Sequence, residues 1–310
     1  MAKPEFDISP ERRASMSHYL YRQLFLSAPR LSPKDADLTG KTAIVTGANG
    51  GLGLEVARSI LTLGGNVIIA VRDKAKGETA RQSLLKSAAE SLNPDAIQVW
   101  DLDLASYDSI LSFAERTKSL PHLDIAVLNA GVFKRYETFH PSTGYETSMQ
   151  INFLSNALLM LLLLPIIKAK RTGPGPGHIS LVTSEVAAWV KADQLRSSTR
   201  ILPEFKKKWD FGSLGFQEYY GTSKLLGLLF VSELARHVSP DEVVVNCPNP
   251  GFCSSDIARE VSGPLRVVMK AQVAVLARSC EVGARTLVHA VAVLGRESHG
   301  QYVEDGKVQP

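Results

Sequence analysis

The sequence predicts an α/β fold built on one doubly wound parallel sheet of about seven strands, with helices on both faces. Three observations carry that prediction. Short β-branched runs alternate with helix-length amphipathic segments from Lys41 onward. The runs are apolar throughout rather than alternating, as strands covered on both faces require. The first strand-to-helix junction, TGANGGLG at 46–53, is rich in glycine. Strand–helix–strand order then implies right-handed crossovers.

The first 38 residues are weakly patterned and hold Pro4, Pro10, Pro29 and Pro33; Met16, Leu20, Leu24 and Leu26 allow one short helix. This 1–38 segment reads as an extension packed on the edge of a single domain spanning 39–310. KTAIVTG (41–47) is the first strand, and positions 52, 56, 60 and 63 mark a helix stopped by Gly64-Gly65. NVIIAV (66–71) is the second strand, followed by a helix from Ala75 to Leu92. AIQVWDLDL (96–104) is the third, with a helix from Tyr107 to Leu120. DIAVLNAG (124–131) is the fourth, with a long apolar helix from Gly144 to Lys170, and HISLVTS (178–184) is the fifth.

The rhythm breaks at 185–216, where Trp189, Phe205, Trp209 and Phe211 stand among many charges. Such an insertion is either a surface excursion or a wall over a substrate. A helix at 217–238 and the strand DEVVVNCPNPG (241–251) restore the alternation. A loop and helix region (252–277), a helix near 280–294 and a last strand near 300–304 complete the chain.

Composition excludes several classes. Hydrophobic residues make up 45% of 310 and charged residues 21%, a balance that supplies a buried core. The net charge of +4 is scattered, and Lys206–Lys208 is the only basic run of three, so no nucleic-acid partner is expected. Cys247, Cys253 and Cys280 offer no disulfide framework or C-x-x-C spacing, and the seven histidines form no metal motif. No metal is expected, and the compartment reads as reducing and cytoplasmic. Glu5, Asp7 and two prolines stand where a secretory signal would need a basic and then an apolar region. ALLMLLLLPII (157–167) reaches only about 16 Å as a helix, so it predicts a buried helix and no membrane span.

The glycine turn has a physical purpose. A pyrophosphate needs backbone close by, and the helix behind it offers free N–H groups and a positive dipole end. Gly47, Gly51 and Gly53, with Asn49 and Leu52 between them, are the candidate cradle. At the end of the second strand, Val71 stands where an acid would bind the ribose 2′-hydroxyl of NAD, and Arg72 follows. An arginine pairs bidentately with a 2′-phosphate, which favours NADP(H); Asp73 leaves NAD(H) as the alternative. Tyr220 and Lys224 at i and i+4 place a phenol and an ammonium on one helix face.

TGANGGLG, LNAG (128–131), Asn152, VTS (182–184), YGTSK (220–224) and NPG (249–251) occur in that order. Together they resemble the classical short-chain dehydrogenase/reductase family over about Lys41 to Gly300, with a Rossmann-type sheet. The extension, the ANGGLGLE turn and the SHGQY tail look most like fungal, retinol-dehydrogenase-like members of secondary metabolism. The resemblance assigns Tyr220 as general acid/base, a phenol that a neighbouring cation, Lys224, brings toward neutral pH. It gives Lys224 a second role at the nicotinamide ribose and makes Ser184 the hydrogen-bond partner of the substrate oxygen.

Asn152 matches an asparagine that holds a proton-relay water; its other reading is a helix residue bonded to backbone. Asp103 and Leu104 match the adenine position, Asn129, Ala130 and Gly131 the wall beside the adenosine ribose, and Pro250-Gly251 the turn beside the nicotinamide. Ser255 could serve for the threonine common beyond that turn. The implied activity is reduction of a ketone or aldehyde, or oxidation of the alcohol, on a bulky hydrophobic small molecule, since Phe133, Trp189 and Phe252 fall near the expected pocket. The alternatives are a non-redox isomerisation, dehydration or cyclisation, and a dinucleotide-binding non-enzyme. The resemblance allows a homodimer through the helices at 145–170 and 217–238; the same leucines could instead be core, or the long insertion could cap that face.

Overall fold

The alternation from Lys41 onward builds one eight-stranded sheet, seen in a computed structural model that describes residues 6–87, 93–134, 136–190, 200–208, 215–255 and 264–310. Its strands are β1 (Thr42–Thr46), β2 (Asn66–Val71), β3 (Ile97–Asp101), β4 (Ile125–Leu128), β5 (Gly177–Leu181), β6 (Val243–Asn249), β7 (Tyr302–Glu304) and β8 (Lys307–Gln309). They lie in the order β3-β2-β1-β4-β5-β6-β7-β8. All neighbours pair in parallel except β7 and β8, which are antiparallel.

Seven strands fall where the apolar runs place them, and β8 is the addition. β7 and β8 join through Asp305-Gly306, whose φ values of +50° and +78° are those of a two-residue type I′ hairpin. The Asp-Gly pair was the signal in the sequence.

Ten α-helices lie among the described residues: α1 (Pro10–Arg13), α2 (Met16–Phe25), α3 (Gly51–Thr62), α4 (Lys74–Ser87), α5 (Tyr107–Thr117), α6 (Asn156–Lys170), α7 (Ile201–Glu204), α8 (Gly215–Leu234), α9 (Pro264–Leu276) and α10 (Cys280–Ala292). The end of the helix expected to reach Leu92 lies outside the described residues, as do 191–199 and 209–214 of the long insertion.

Side chains on the strands alternate between two apolar layers, as a period of two requires. Ile44, Ile68, Ala126 and Ile179 face Phe113, Met160, Leu163 and Val231 from α5, α6 and α8. Val45, Ile69 and Val127 face Val56, Ile60, Leu84 and Leu287 from α3, α4 and α10. The run Met149–Lys170 starts as a π-helical turn (Met149–Ser155) and is long and apolar enough to cross a membrane, with 56% of its most apolar window buried. Leu159, Met160 and Leu163 on it are fully buried in the first layer, which marks a core helix.

The order of the strands creates the crevice. The chain runs outward from β1 to β3, then returns to lay β4 on the other side of β1. The connections leaving the carboxyl ends of β1 and β4 therefore run to opposite sides, the place where open α/β sheets bind ligands.

Candidate active site

The glycine turn sits at that crevice. Gly47 has φ +68°, and its N–H donates to the Ala70 carbonyl at 2.8 Å, bending the chain off β1 into α3. A Cβ on Gly53 would lie 2.6 Å from the Gly47 oxygen and 2.7 Å from Asn129 Nδ2, so this position packs α3 tightly against the turn. Gly50 at the N-cap of α3 makes no side-chain capping bond, and Asn49 before it is exposed. The first-turn amides of such a helix suit a phosphate. Leu52 lines the adjoining cavity.

Asn129 and Ala130 lock β4 to this turn: Asn129 Nδ2 donates to the Thr46 carbonyl and Ala130 N–H to Thr46 Oγ1, both at 2.9 Å. Asp103 accepts the Ala105 N–H at 3.0 Å, holding the loop after β3 beside buried Leu104. At the end of β2, Val71 is buried and Arg72 exposed. Asp73 is engaged elsewhere: it caps α4, accepting the Lys76 N–H at 3.1 Å, and that bond holds its carboxyl below the usual range. Asp73 is thus an N-cap of α4, and Arg72 beside it is exposed.

The chemical groups converge from two elements. Ser184 follows β5, and Tyr220 and Lys224 stand one turn apart on α8. Ser184 and Tyr220 line the same cavity, and the Tyr220 ring meets Phe133 edge-on at 5.0 Å. Lys224 Nζ donates to the Val182 carbonyl at 2.7 Å and sits 5.8 Å from the centre of the Tyr220 ring. Burial lowers the Lys224 ammonium to about 8.

Burial works against the lowering of the Tyr220 phenol expected from Lys224. Burial pushes the Tyr220 phenol up to about 12, with Ser184 opposing and Glu185 and Cys253 adding to the rise. Desolvation of a phenolate outweighs a cation committed to a carbonyl.

Asn152 stands in the π-helical turn, a widening often found at functional sites. Its Oδ1 accepts the Val132 N–H at 2.7 Å, and its Nδ2 donates to the Val132 carbonyl at 2.9 Å and Ser223 Oγ at 3.1 Å. The side chain thus clips the loop after β4 to α8. A Cβ on Gly131 would lie 3.1 Å from Asn152 Oδ1 and 3.6 Å from Lys224 Nζ, so a glycine keeps that wall open. Pro250 and Gly251 follow β6, where Gly251 N–H donates to Asn249 Oδ1 at 3.0 Å. Ser255 faces the phosphate end, 3.7 Å from a Cβ built on Gly51.

Asn129, Gly131, Ser184, Tyr220, Lys224, Pro250, Gly251 and Ser255 share one cavity of about 520 Å³, which Asn152 does not line, and Phe133, Trp189 and Phe252 line it as the sequence suggested. The volume falls in the range of small-molecule sites. The first end of the long insertion, Glu185–Trp189, forms a short 3₁₀ helix that contributes Val186 as well as Trp189. Sequence reasoning missed Met16, Tyr19 and Leu20 of α2, and Glu185 beside the serine, all of which line the same cavity. The helical spacing of Met16 and Leu20 was visible; nothing in the pattern showed what that face would meet.

A doubly wound sheet with a glycine-turn crevice at its switch point is the architecture of dinucleotide-dependent enzymes. Residues 41–191 match the family model described as short chain dehydrogenase. The chain is 52% identical over 313 residues to the short-chain dehydrogenase fogG of Aspergillus ruber, covering 98% of this chain and 88% of that protein. It is 38% identical to the short chain dehydrogenase/reductase mfmJ of Annulohypoxylon moriforme, covering 98% and 87%. The crystal structure of L-sorbose reductase from Gluconobacter frateurii, complexed with NADPH and L-sorbose, shares the fold at a TM-score of 0.64 and 20% identity, covering 87% of this chain and 96% of that one. The chain belongs to the short-chain dehydrogenase/reductase family, oxidoreductases that act on CH–OH or C=O groups with a nicotinamide dinucleotide.

Proposed function

We propose that this chain is an NADP(H)-dependent reductase of ketones or aldehydes on bulky hydrophobic small molecules, working in fungal secondary metabolism. The observation that carries the reading is the grouping of Ser184, Tyr220 and Lys224 on one wall of a largely apolar cavity.

The residues present fit the dinucleotide. The uncapped start of α3 suits its pyrophosphate, Gly131 leaves room beside Asn152 and Lys224, and the exposed Arg72 after β2 supports the reading of a 2′-phosphate. When bound, NADPH supplies the hydride. Ser184 orients the carbonyl oxygen by hydrogen bonding, and Tyr220 delivers a proton to it. A phenol near 12 holds its proton throughout the working range yet remains far more acidic than the alcohol being formed. The phenolate left behind is a stronger base than Lys224, whose ammonium near 8 makes proton return downhill. Asn152 fixes the loop and helix that frame this path.

The test is NADPH oxidation at 340 nm with a panel of bulky and small carbonyl compounds, against NADH. Turnover with the bulky members and preference for NADPH are expected. A chain that binds NADPH but oxidises none of it would overturn the redox reading.

The same reading has the chain as a homodimer through α6 and α8. Leu161 at 46% exposure and Leu229 at 54% are large apolar side chains on those helices, and a second copy would cover them. Sedimentation should give twice the chain mass, and Leu161→Arg should return it to the monomer. A monomeric wild type would reject this assembly.

A further inference from the structure

We propose that α2, in the N-terminal segment, is a fixed wall of the substrate cavity, and that Tyr19 and Leu20 determine which carbonyl compounds enter. The proposal rests on the reading of this cavity as the substrate site and adds the element that sets its specificity.

Met16, Tyr19 and Leu20 stand at i, i+3 and i+4, so one helical face presents all three. They line the same cavity as Ser184 and Tyr220. Met16 is 56% exposed and Leu20 37%, which places them at its mouth. Tyr19 lies deeper, and its ring meets Trp189 edge-on at 5.3 Å. Burial pushes the Tyr19 phenol up to about 12, so its hydroxyl remains a proton donor. That hydroxyl makes no hydrogen bond to a described residue and offers one polar point in an apolar wall.

The helix is anchored from behind rather than hinged. Gln23 Nε2 donates to the carbonyls of Phe252 and Leu276 at 2.6 and 2.7 Å, and Gln23 Oε1 accepts the Phe252 N–H at 3.1 Å. Arg22 pairs with Glu304 at 2.7 Å and Asp305 at 3.0 Å, and the Arg22 carbonyl accepts from Arg278 at 2.5 Å. Trp189 Nε1 donates to the Ala14 carbonyl at 2.9 Å, tying the start of the long insertion to the turn between α1 and α2. A helix so held keeps one position whether or not ligand is present, and its outward residues act by shape.

The experiment uses the full chain with 2-naphthaldehyde as the bulky probe and propanal as the small one. Binding is read by quenching of tryptophan emission, with Trp189 in the cavity wall as reporter, and turnover by NADPH oxidation. Tyr19→Ala and Leu20→Ala should each weaken 2-naphthaldehyde binding and raise its KM at least tenfold, while NADPH affinity stays within twofold. Leu20→Ala changes only a mouth residue, so it also guards against misfolding of the Tyr19 variant. Leu20→Trp should narrow the mouth and shift preference toward propanal.

Unchanged binding in both alanine variants, or no 2-naphthaldehyde binding by the wild type, would overturn the proposal. Wild-type binding without NADPH oxidation, lost in the variants, would instead overturn the reductase reading and leave the wall standing.

Discussion

Tyr220 and Lys224 show how burial redistributes protons within a motif whose letters were plain in the sequence. YGTSK gave the spacing, but the two pKa shifts depend on the surrounding packing, which no local pattern encodes. Tyr220→Phe removes the proton donor and keeps the ring against Phe133. Reductase kcat should fall about 10²–10⁴-fold, the usual contribution of a general acid, with NADPH affinity retained in a fluorescence titration. The pH dependence follows from the signs. Lys224, lowered to about 8, is charged below that pH and neutral above it, so an anionic cofactor loses its partner as pH rises. KM for NADPH should therefore climb between pH 8 and 9.5, while Tyr220, at about 12, puts no basic limb on kcat in that range. A flat KM profile would reject the role of Lys224. Arg72 makes a separate claim: Arg72→Ala should raise KM for NADPH about ten- to a hundredfold, the scale of a lost charge-assisted hydrogen bond, and leave NADH unaffected. Equal effects on both cofactors would exclude the 2′-phosphate contact.

At the scale of elements, β1, the glycine turn and α3 were the most legible part of the chain. Their geometry is local: a buried strand, a turn that needs close backbone approach, and a helix start. Two glycines in that turn make opposite demands. A Cβ on Gly53 meets the Gly47 oxygen at 2.6 Å, whereas one on Gly50 meets nothing within 4 Å. Gly50 also has φ 175°, which any residue adopts. Gly53→Ala should cost about 1–3 kcal/mol through overpacking and weaken NADPH binding. Gly50→Ala should keep the wild-type melting temperature and affinity. Calorimetry and titration of the two variants separate a packing requirement from a merely glycine-rich turn; equal behaviour would refute it. The long insertion was legible only as a departure from rhythm, because its partners are distant. Phe205, fully buried with Met149, Tyr219 and Leu226, marks where its second half returns to the body of the protein.

The two ends of the chain meet behind the active site in a way no sequence window could show, since the contacts span nearly the whole length. Arg13, Arg22 and Arg278 face Glu185, Glu304 and Asp305, three cations against three anions with side chains at most 11% exposed. Asn249 joins them, donating to Glu185 at 3.1 Å and Glu304 at 2.9 Å. This network bonds α1 and α2 to the β7–β8 hairpin and reaches Glu185, the residue after Ser184. Its balance makes each member costly to remove alone, because the partners are left buried and uncompensated. Glu304 accepts from both Arg13 and Arg22, so Glu304→Gln should destabilise by about 3–5 kcal/mol. With unfolding entropy near 2.1 cal/mol/K per residue, that lowers the melting temperature by about 5–8 °C. Glu281→Gln is the contrast, since Glu281 pairs with Arg30 at the surface with side chains 49% and 73% exposed. Its loss should cost under about 1 kcal/mol and hardly move the melt. Because the network also seats α2, Glu304→Gln should raise KM for a bulky carbonyl below its melting range while NADPH affinity holds. A matched change in both constants would mean that the network supports the whole domain rather than the wall.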